Sequence, residues 1–164
     1  PYGCFKLSAH LTLNVFRTKY KLFLVNGILF NHESAKKGKK FLTSTIINTA
    51  KEIKSGIKKK LLLQTPNPIR DFAHAEDTIN AIYKIMMLKK PHDFIISGGN
   101  IYSVRELAEK IFKKFNISKN KIYYKTNSKV NDIKIGNTSK LKKLTGWKPK
   151  YTKEKFINKI INEE

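Results

Sequence analysis

Cysteine is nearly absent from this sequence, arginine is scarce, and neither a long apolar run nor a glycine-rich phosphate loop occurs. Each scarcity removes a class of protein. With Cys4 the only cysteine, no intramolecular disulfide framework exists and no Cys-based zinc site has a second ligand. No apolar stretch reaches the roughly 20 residues that a membrane-spanning helix needs. The first residues show neither a charged n-region nor a cleavage site, so the expected location is the cytoplasm. The G-x-G-x-x-G pattern that opens a dinucleotide-binding βα unit is missing, and Gly98-Gly99 reads as a turn after a strand. All but three of the 34 basic residues are lysines, the exceptions being Arg17, Arg70 and Arg105. A reader of duplex nucleic acid is expected to use arginine forks, which a lysine point charge cannot copy. Nucleic acid is therefore disfavoured as a partner despite a formal charge of +22.

What is present is an ordinary globular composition, 164 residues with 40% hydrophobic content, enough for a core. Its abundance of Lys, Ile and Asn is the mark of an AT-rich coding sequence. Apolar residues at Leu7, Leu11, Val15 and Phe16 predict an amphipathic helix from Tyr2 to about Lys19. The run Leu22 to Phe30 follows as a parallel strand buried on both faces. Asn31 to Lys40 reads as a polar loop at the strand's carboxyl end, where open α/β sheets bind ligands.

Further on, the pattern predicts helices over 39–57 and 73–88, strands at 61–63 and 93–97, and a turn at Pro66 and Pro68. Ser103 and Glu106 form a capping-box pattern that opens a helix to about Phe115. Short strands at 122–124 and 132–135 and helices over 138–144 and 152–164 complete an α/β chain that reads as one unit, 1–164. His74 is expected to cap a helix, Met86 and Met87 to fill a core, and Trp147 to anchor the final loop.

Tyr2 and Lys6 lie four residues apart, on one face of the first helix. An ammonium beside a phenol favours the phenolate, which makes tyrosine usable as a general base near neutral pH. In a lysine-rich helix this spacing is also common by chance. The surrounding residues carry more information. The opening Pro-Tyr-Gly-x-x-Lys-Leu is followed by Asn26-Gly-Ile-Leu-Phe-Asn-His-Glu-Ser34, by Arg70-Asp-Phe-x-His-Ala-x-Asp77, by Asp93-Phe-Ile-Ile-x-x-Gly99, by Tyr102-Ser-Val-Arg105 and by Gly146-Trp-Lys-Pro149. In this order the motifs resemble the GDP-mannose 4,6-dehydratase family over nearly the whole chain.

The resemblance implies the C-terminal part of a Rossmann-like doubly wound sheet plus the small substrate-binding α/β portion of an extended short-chain dehydrogenase. The expectation is a fragment, inactive alone, whose N-terminal dinucleotide-binding half and upstream catalytic Thr and Glu are absent. It further implies NADP as cofactor, GDP-mannose or a related sugar nucleotide as substrate, GDP-4-dehydro-6-deoxy-mannose as product, and a homo-oligomer, dimer or tetramer, at full length. Tyr2 matches the catalytic base and Lys6 its partner, which also bonds the nicotinamide ribose. His32 and Lys37 match cofactor contacts. Asn31, Leu42 and Arg70 match substrate contacts, with Lys129 standing in for a C-terminal arginine. The chain departs from the family at Ala35-Lys-Lys-Gly38, where Pro-Arg-Arg-Gly is usual, and at Thr45, where lysine is usual. Competing readings are a locally bonded imidazole for His32 and a structural ion pair for Arg70. At the level of function they are an epimerase or reductase of another sugar nucleotide, and a non-enzymatic basic binding module.

Overall fold

A computed structural model describes residues 1–125 and 132–163. The chain opens with helix α1, Tyr2–Tyr20, followed by strands β1, Gly27–Leu29, and β2, Asn31–Glu33. Then come α2 (Leu42–Lys54), β3 (Leu61–Leu63), β4 (Ile69–His74) and α3 (Ala75–Met86). The remainder holds β5 (Phe94–Ile96), β6 (Asn100–Ser103), α4 (Val104–Lys114), β7 (Ile122–Tyr124), β8 (Ile133–Lys134), α5 (Ser139–Thr145) and α6 (Glu154–Glu163). The α/β class read from the sequence holds.

Three parallel pairings organise the layers: β1 with β5, β2 with β4, and β3 with β7. Strand β4 is central to its sheet. Antiparallel β6 pairs with Ile69 to Phe72, whereas β2 pairs with Phe72 to His74 and β8 with Ile69 and Arg70. Because β6 occupies one edge, β2 and β8 divide the other between them. One apolar core joins α2, β3, α4, β7 and α6 around Phe112 and Phe156, and a second joins α3, β5 and α5 around Trp147. Each fully buried large side chain there stabilises the fold by about 1.5–3 kcal/mol. The predicted capping box is present, Ser103 Oγ accepting from Glu106 N–H while the Glu106 carboxylate accepts from Ser103 N–H.

Several expectations are corrected. The long buried strand over 22–30 is only Gly27–Leu29, and its Ile28 and Leu29 are exposed. Upstream of it, the backbone bonds to side chains instead of a ladder: Leu24 C=O accepts from Arg17 Nε at 2.8 Å, and Asn26 N–H donates to Asp93 at 3.2 Å. The polar loop begins later than expected, since Asn31 to Glu33 are strand β2. Strands β4 and β6 occupy stretches for which the sequence pattern predicted no strand. Met86 and Met87 are exposed, not core filler, because α3 turns Ala81 and Ile85 inward instead. Helix α1 forms as predicted, yet none of its residues is buried, Leu7, Leu11, Val15 and Phe16 included.

Glycine is required at the end of β5. A Cβ on Gly98 would lie 2.3 Å from Phe72 C=O, and Gly99 adopts φ +73°, so the backbone passes β4 where no side chain fits. Gly99 N–H then donates to the buried Asp71 carboxylate at 2.7 Å.

Candidate active site

Tyr2 begins α1 and Asn31 and His32 begin β2, and the two segments line one cleft of about 570 Å³ with Phe30, Lys36 and Lys37. The Lys6 ammonium stands 5.4 Å from the centroid of the Tyr2 ring, as the spacing of four residues required. His32 Nδ1 lies 3.1 Å from Phe30 C=O. A carbonyl accepts only, so the proton sits on Nδ1 and Nε2 is left as an acceptor. The local bond named as the competing reading is therefore present, and it also fixes the tautomer.

The loop beyond His32 is shaped by a residue that the sequence reading did not single out. Glu33 is buried, 3% exposed, and its carboxylate accepts from Lys37 Nζ at 2.8 Å and from Thr43 Oγ1. Lys37 also lies 4.8 Å from the Phe41 ring centroid. A buried carboxylate is costly unless paired, so the Glu33–Lys37 contact ties the loop to β2. A lysine four residues downstream of a strand-end glutamate was the available signal. Leu42, the first residue of α2, packs against the larger core.

Arg70 is not on the Tyr2 cleft. Its guanidinium engages Asp132, with Nη2 at 2.8 and 3.0 Å from the two carboxylate oxygens and Nη1 at 3.1 Å from the carbonyl. This fork holds the Asp132 carboxyl below the usual range. Lys129 lies outside the described residues.

A carboxylate network surrounds His74, which caps α3 as predicted by accepting from Glu76 N–H at Nδ1. Nδ1 being an acceptor, Nε2 carries the proton and donates to Glu163 at 2.9 Å. His74, Glu76 and Glu163 present ligand atoms within 4.8 Å of one another. A metal at Nε2 would need the opposite tautomer, setting an Nδ1–H against the Glu76 N–H, and Lys159 already bridges both carboxylates at 2.9 and 2.7 Å. The cluster is wired as an ion-pair network. Its hydrogen bonds from Lys159 and Tyr151 hold the Glu76 carboxyl down to about 2.

Asp93 is a second node. Burial opposes its ionisation, but the Arg17 guanidinium and the Asn26 N–H outweigh that cost and keep its carboxyl below the usual range.

The fold and this cleft define an extended short-chain-dehydrogenase type of α/β protein. A dTDP-glucose 4,6-dehydratase from Bacillus anthracis in complex with NAD superposes with a TM-score of 0.87 at 25% identity, covering 99% of this chain and 51% of that one. A Thermotoga maritima UDP-glucose 4-epimerase superposes at 0.80 with 19% identity, covering 99% of this chain and 52% of that one, which shows the shared fold. The GDP-mannose 4,6 dehydratase family profile matches residues 1–160, and the chain belongs to that family. GDP-mannose 4,6 dehydratase 1 of Arabidopsis thaliana is 32% identical across 100% of the chain and 46% of its own length. The Homo sapiens enzyme of that name is 30% identical across 100% of the chain and 50% of its own length. The chain thus spans about half the length of the curated relatives it matches.

Proposed function

We propose that the full-length protein carrying this chain is a GDP-mannose 4,6-dehydratase that uses NADP, and that the Tyr2 cleft is the sugar end of its active site. The observation that carries this reading is the convergence of Tyr2 and Asn31–His32 on one cleft from separate elements. The donor set suits a nicotinamide ribose and a sugar: a phenol, an imidazole of fixed tautomer, a carboxamide and lysine ammonium groups. When bound, the cofactor supplies the hydride acceptor and donor for the reaction.

The roles of the chain's own groups follow from chemistry. Tyr2 is assigned to accept the proton of the sugar 4-hydroxyl, with Lys6, whose ammonium lies 5.4 Å from the Tyr2 ring centroid, as its partner on the same helix face. Lys6, His32 and Lys37 hold the cofactor, while Asn31, Leu42, Arg70 and Lys129 are assigned to the substrate. Arg70 reaches a diphosphate only by giving up Asp132 for it. Lys37 likewise exchanges Glu33 for an anionic group of the cofactor. The full-length protein is proposed to act as a homo-oligomer.

The test is turnover of GDP-mannose, followed by appearance of the 4-keto product. The 164-residue chain is expected to show none. In the full-length protein, Tyr2→Phe is expected to lower kcat by about 10³-fold, within the range for loss of a positioned acid-base group. Turnover by the chain alone overturns the expectation that it is inactive by itself, and a full-length protein without turnover, or a full-length Tyr2→Phe variant with unchanged kcat, overturns the reading.

A further inference from the structure

Strand β8 is two residues long and pairs with one end of β4, too short for a backbone ladder to fix its register. Two side chains of β4 bracket it instead. At its start, Arg70 Nη2 engages the Asp132 carboxylate, and Ile69 N–H donates to Asp132 C=O at 3.0 Å. Beyond its end, Gly136 N–H donates to Asp71 Oδ2 at 3.3 Å, and Ser97 Oγ–H donates to Gly136 C=O at 3.3 Å. The other oxygen of Asp71, Oδ1, accepts from Gly99 N–H at 2.7 Å. One carboxylate thus joins β4, the turn from β5 to β6 and the segment that leaves β8. Asp71 and Ser97 are 1% and 2% exposed, so this end of the bracket is enclosed by the chain's own residues, whatever further chain covers its surface.

Among the described residues no cation pairs with Asp71, and backbone N–H groups alone hold its carboxylate. A buried carboxylate without a cation is costly, and a neutral carboxamide would satisfy one N–H without that cost. Asparagine has a single acceptor oxygen, however, so it holds one segment and turns an NH2 donor on the other. An acid at this position is explained by the need to hold both at once. Gly136 belongs to the same device. A Cβ there would run into Ser97 Oγ and lie 2.7 Å from Ser97 Cβ and 3.1 Å from Ile95 Cγ2, so glycine is what brings this backbone within reach of Asp71. The bracket matters when Arg70 is used. With Arg70 read as the diphosphate contact, its guanidinium gives up Asp132, and the side-chain bonds at the start of β8 are lost. Asp71 takes no part in that exchange. We infer that Asp71, acting through the Gly136 backbone, is a positioning residue for sugar-nucleotide binding: it holds β8 in register beside Arg70 while Arg70 turns from Asp132 to the ligand. This inference rests on that reading of Arg70, whereas the hold of Asp71 on β8 does not. Because Arg70 is not on the Tyr2 cleft, loosening β8 weakens binding without moving the reacting groups.

The test is made in the full-length protein. Hydrogen exchange over residues 132–136 reads the hold on β8, titration with GDP reads the diphosphate end, and turnover of GDP-mannose separates KM from kcat. Asp71→Asn is expected to speed that exchange about tenfold and to raise the GDP Kd and the KM about tenfold, with kcat changed less than about twofold, the pattern of lost uniform binding. Gly136→Ala approaches the bracket from the other side and is expected to act alike, because its methyl group pushes the segment away from Ser97. Adding Ser97→Gly makes room for that methyl and is expected to return Kd and KM to within about twofold of Ser97→Gly alone, a rescue that a general loss of stability does not give. Unchanged exchange over 132–136 in both Asp71→Asn and Gly136→Ala, or a kcat that falls as far as KM rises, overturns the inference. Arg70→Ala with unaltered GDP affinity overturns the reading of Arg70 and the link to the ligand with it, while the exchange measurement still decides whether Asp71 holds β8.

Discussion

Arginine appears three times in this chain, and each time its planar group is used as a plane. Arg17 forks between a carbonyl and Asp93, Arg70 addresses the Asp132 carboxylate from Nη2 and the Asp132 carbonyl from Nη1, and the Arg105 guanidinium carbon lies 4.0 Å from the Tyr124 ring centroid. In a composition dominated by lysine, these are the positions where a point charge does not suffice. The buried acids follow a comparable rule. Asp77 is 4% exposed and accepts the N–H groups of Lys150 and Tyr151, both at 2.9 Å, and its own carbonyl accepts from the Trp147 indole at 3.1 Å. Asp77→Ala strands two backbone donors, at a cost of about 3 kcal/mol. In thermal denaturation of a chain this size, that lowers Tm by roughly 8 °C. Asp77→Asn, which keeps one acceptor oxygen, is expected to lose about half as much, and an Ala variant melting within about one degree of wild type refutes the assignment.

At the scale of elements, α6 is stapled to the rest of the chain by packing and by the ion pairs around Lys159. Phe156, Ile157 and Ile160 enter the larger core, while Lys159 bridges Glu76 of α3 and Glu163 of its own helix. Glu76 is depressed from its ordinary value near 4.5 to about 2. A lowered carboxyl contributes stability that is complete above its unfolded value and is lost as pH falls through the folded one. The contribution of this pair is therefore present above about 4.5 and disappears towards pH 2. Glu76 is half exposed, so solvent screening keeps the effect small. Lys159→Gln is expected to flatten the acid limb of a Tm against pH profile between those limits, and an unaltered limb counts against the staple. Helix α4 offers a simpler case. Ser103→Ala removes the cap and is expected to cost about 1 kcal/mol by denaturant titration, with Ser103→Gly costing less.

At the scale of the whole molecule, 34 basic residues face 12 acidic ones, and self-repulsion outweighs the surface ion pairs. Salt screens both, but the excess of like charge makes relief of repulsion the larger effect. Raising NaCl from about 20 to about 300 mM is expected to raise Tm, and a fall would show that the pairs dominate. Among the described residues no helix is long and apolar enough to cross a membrane, as the sequence also indicated. Much of the architecture was legible from local pattern. The capping box of α4, the strands at 61–63 and 122–124, the Tyr2–Lys6 face and the His74 cap all follow from spacings of two to four residues. These are interactions whose partners are written next to each other in the chain. Strand β4 was not legible, because Arg70 and Asp71 break the apolar pattern of a strand and their partners, Asp132 and the N–H groups of Gly99 and Gly136, lie far along the chain. The cleft itself, the Glu33 tie and the Arg17–Asp93 node likewise depend on which distant backbone arrives beside a polar side chain. Local sequence thus determined the helices and the short strands at 61–63 and 122–124, since propensity and capping act within a turn, whereas Tyr2 stood out as a candidate base only through the family resemblance. Tertiary structure alone decided which polar groups are buried and what they hold, because a buried charge is tolerated only where folding brings a partner to it.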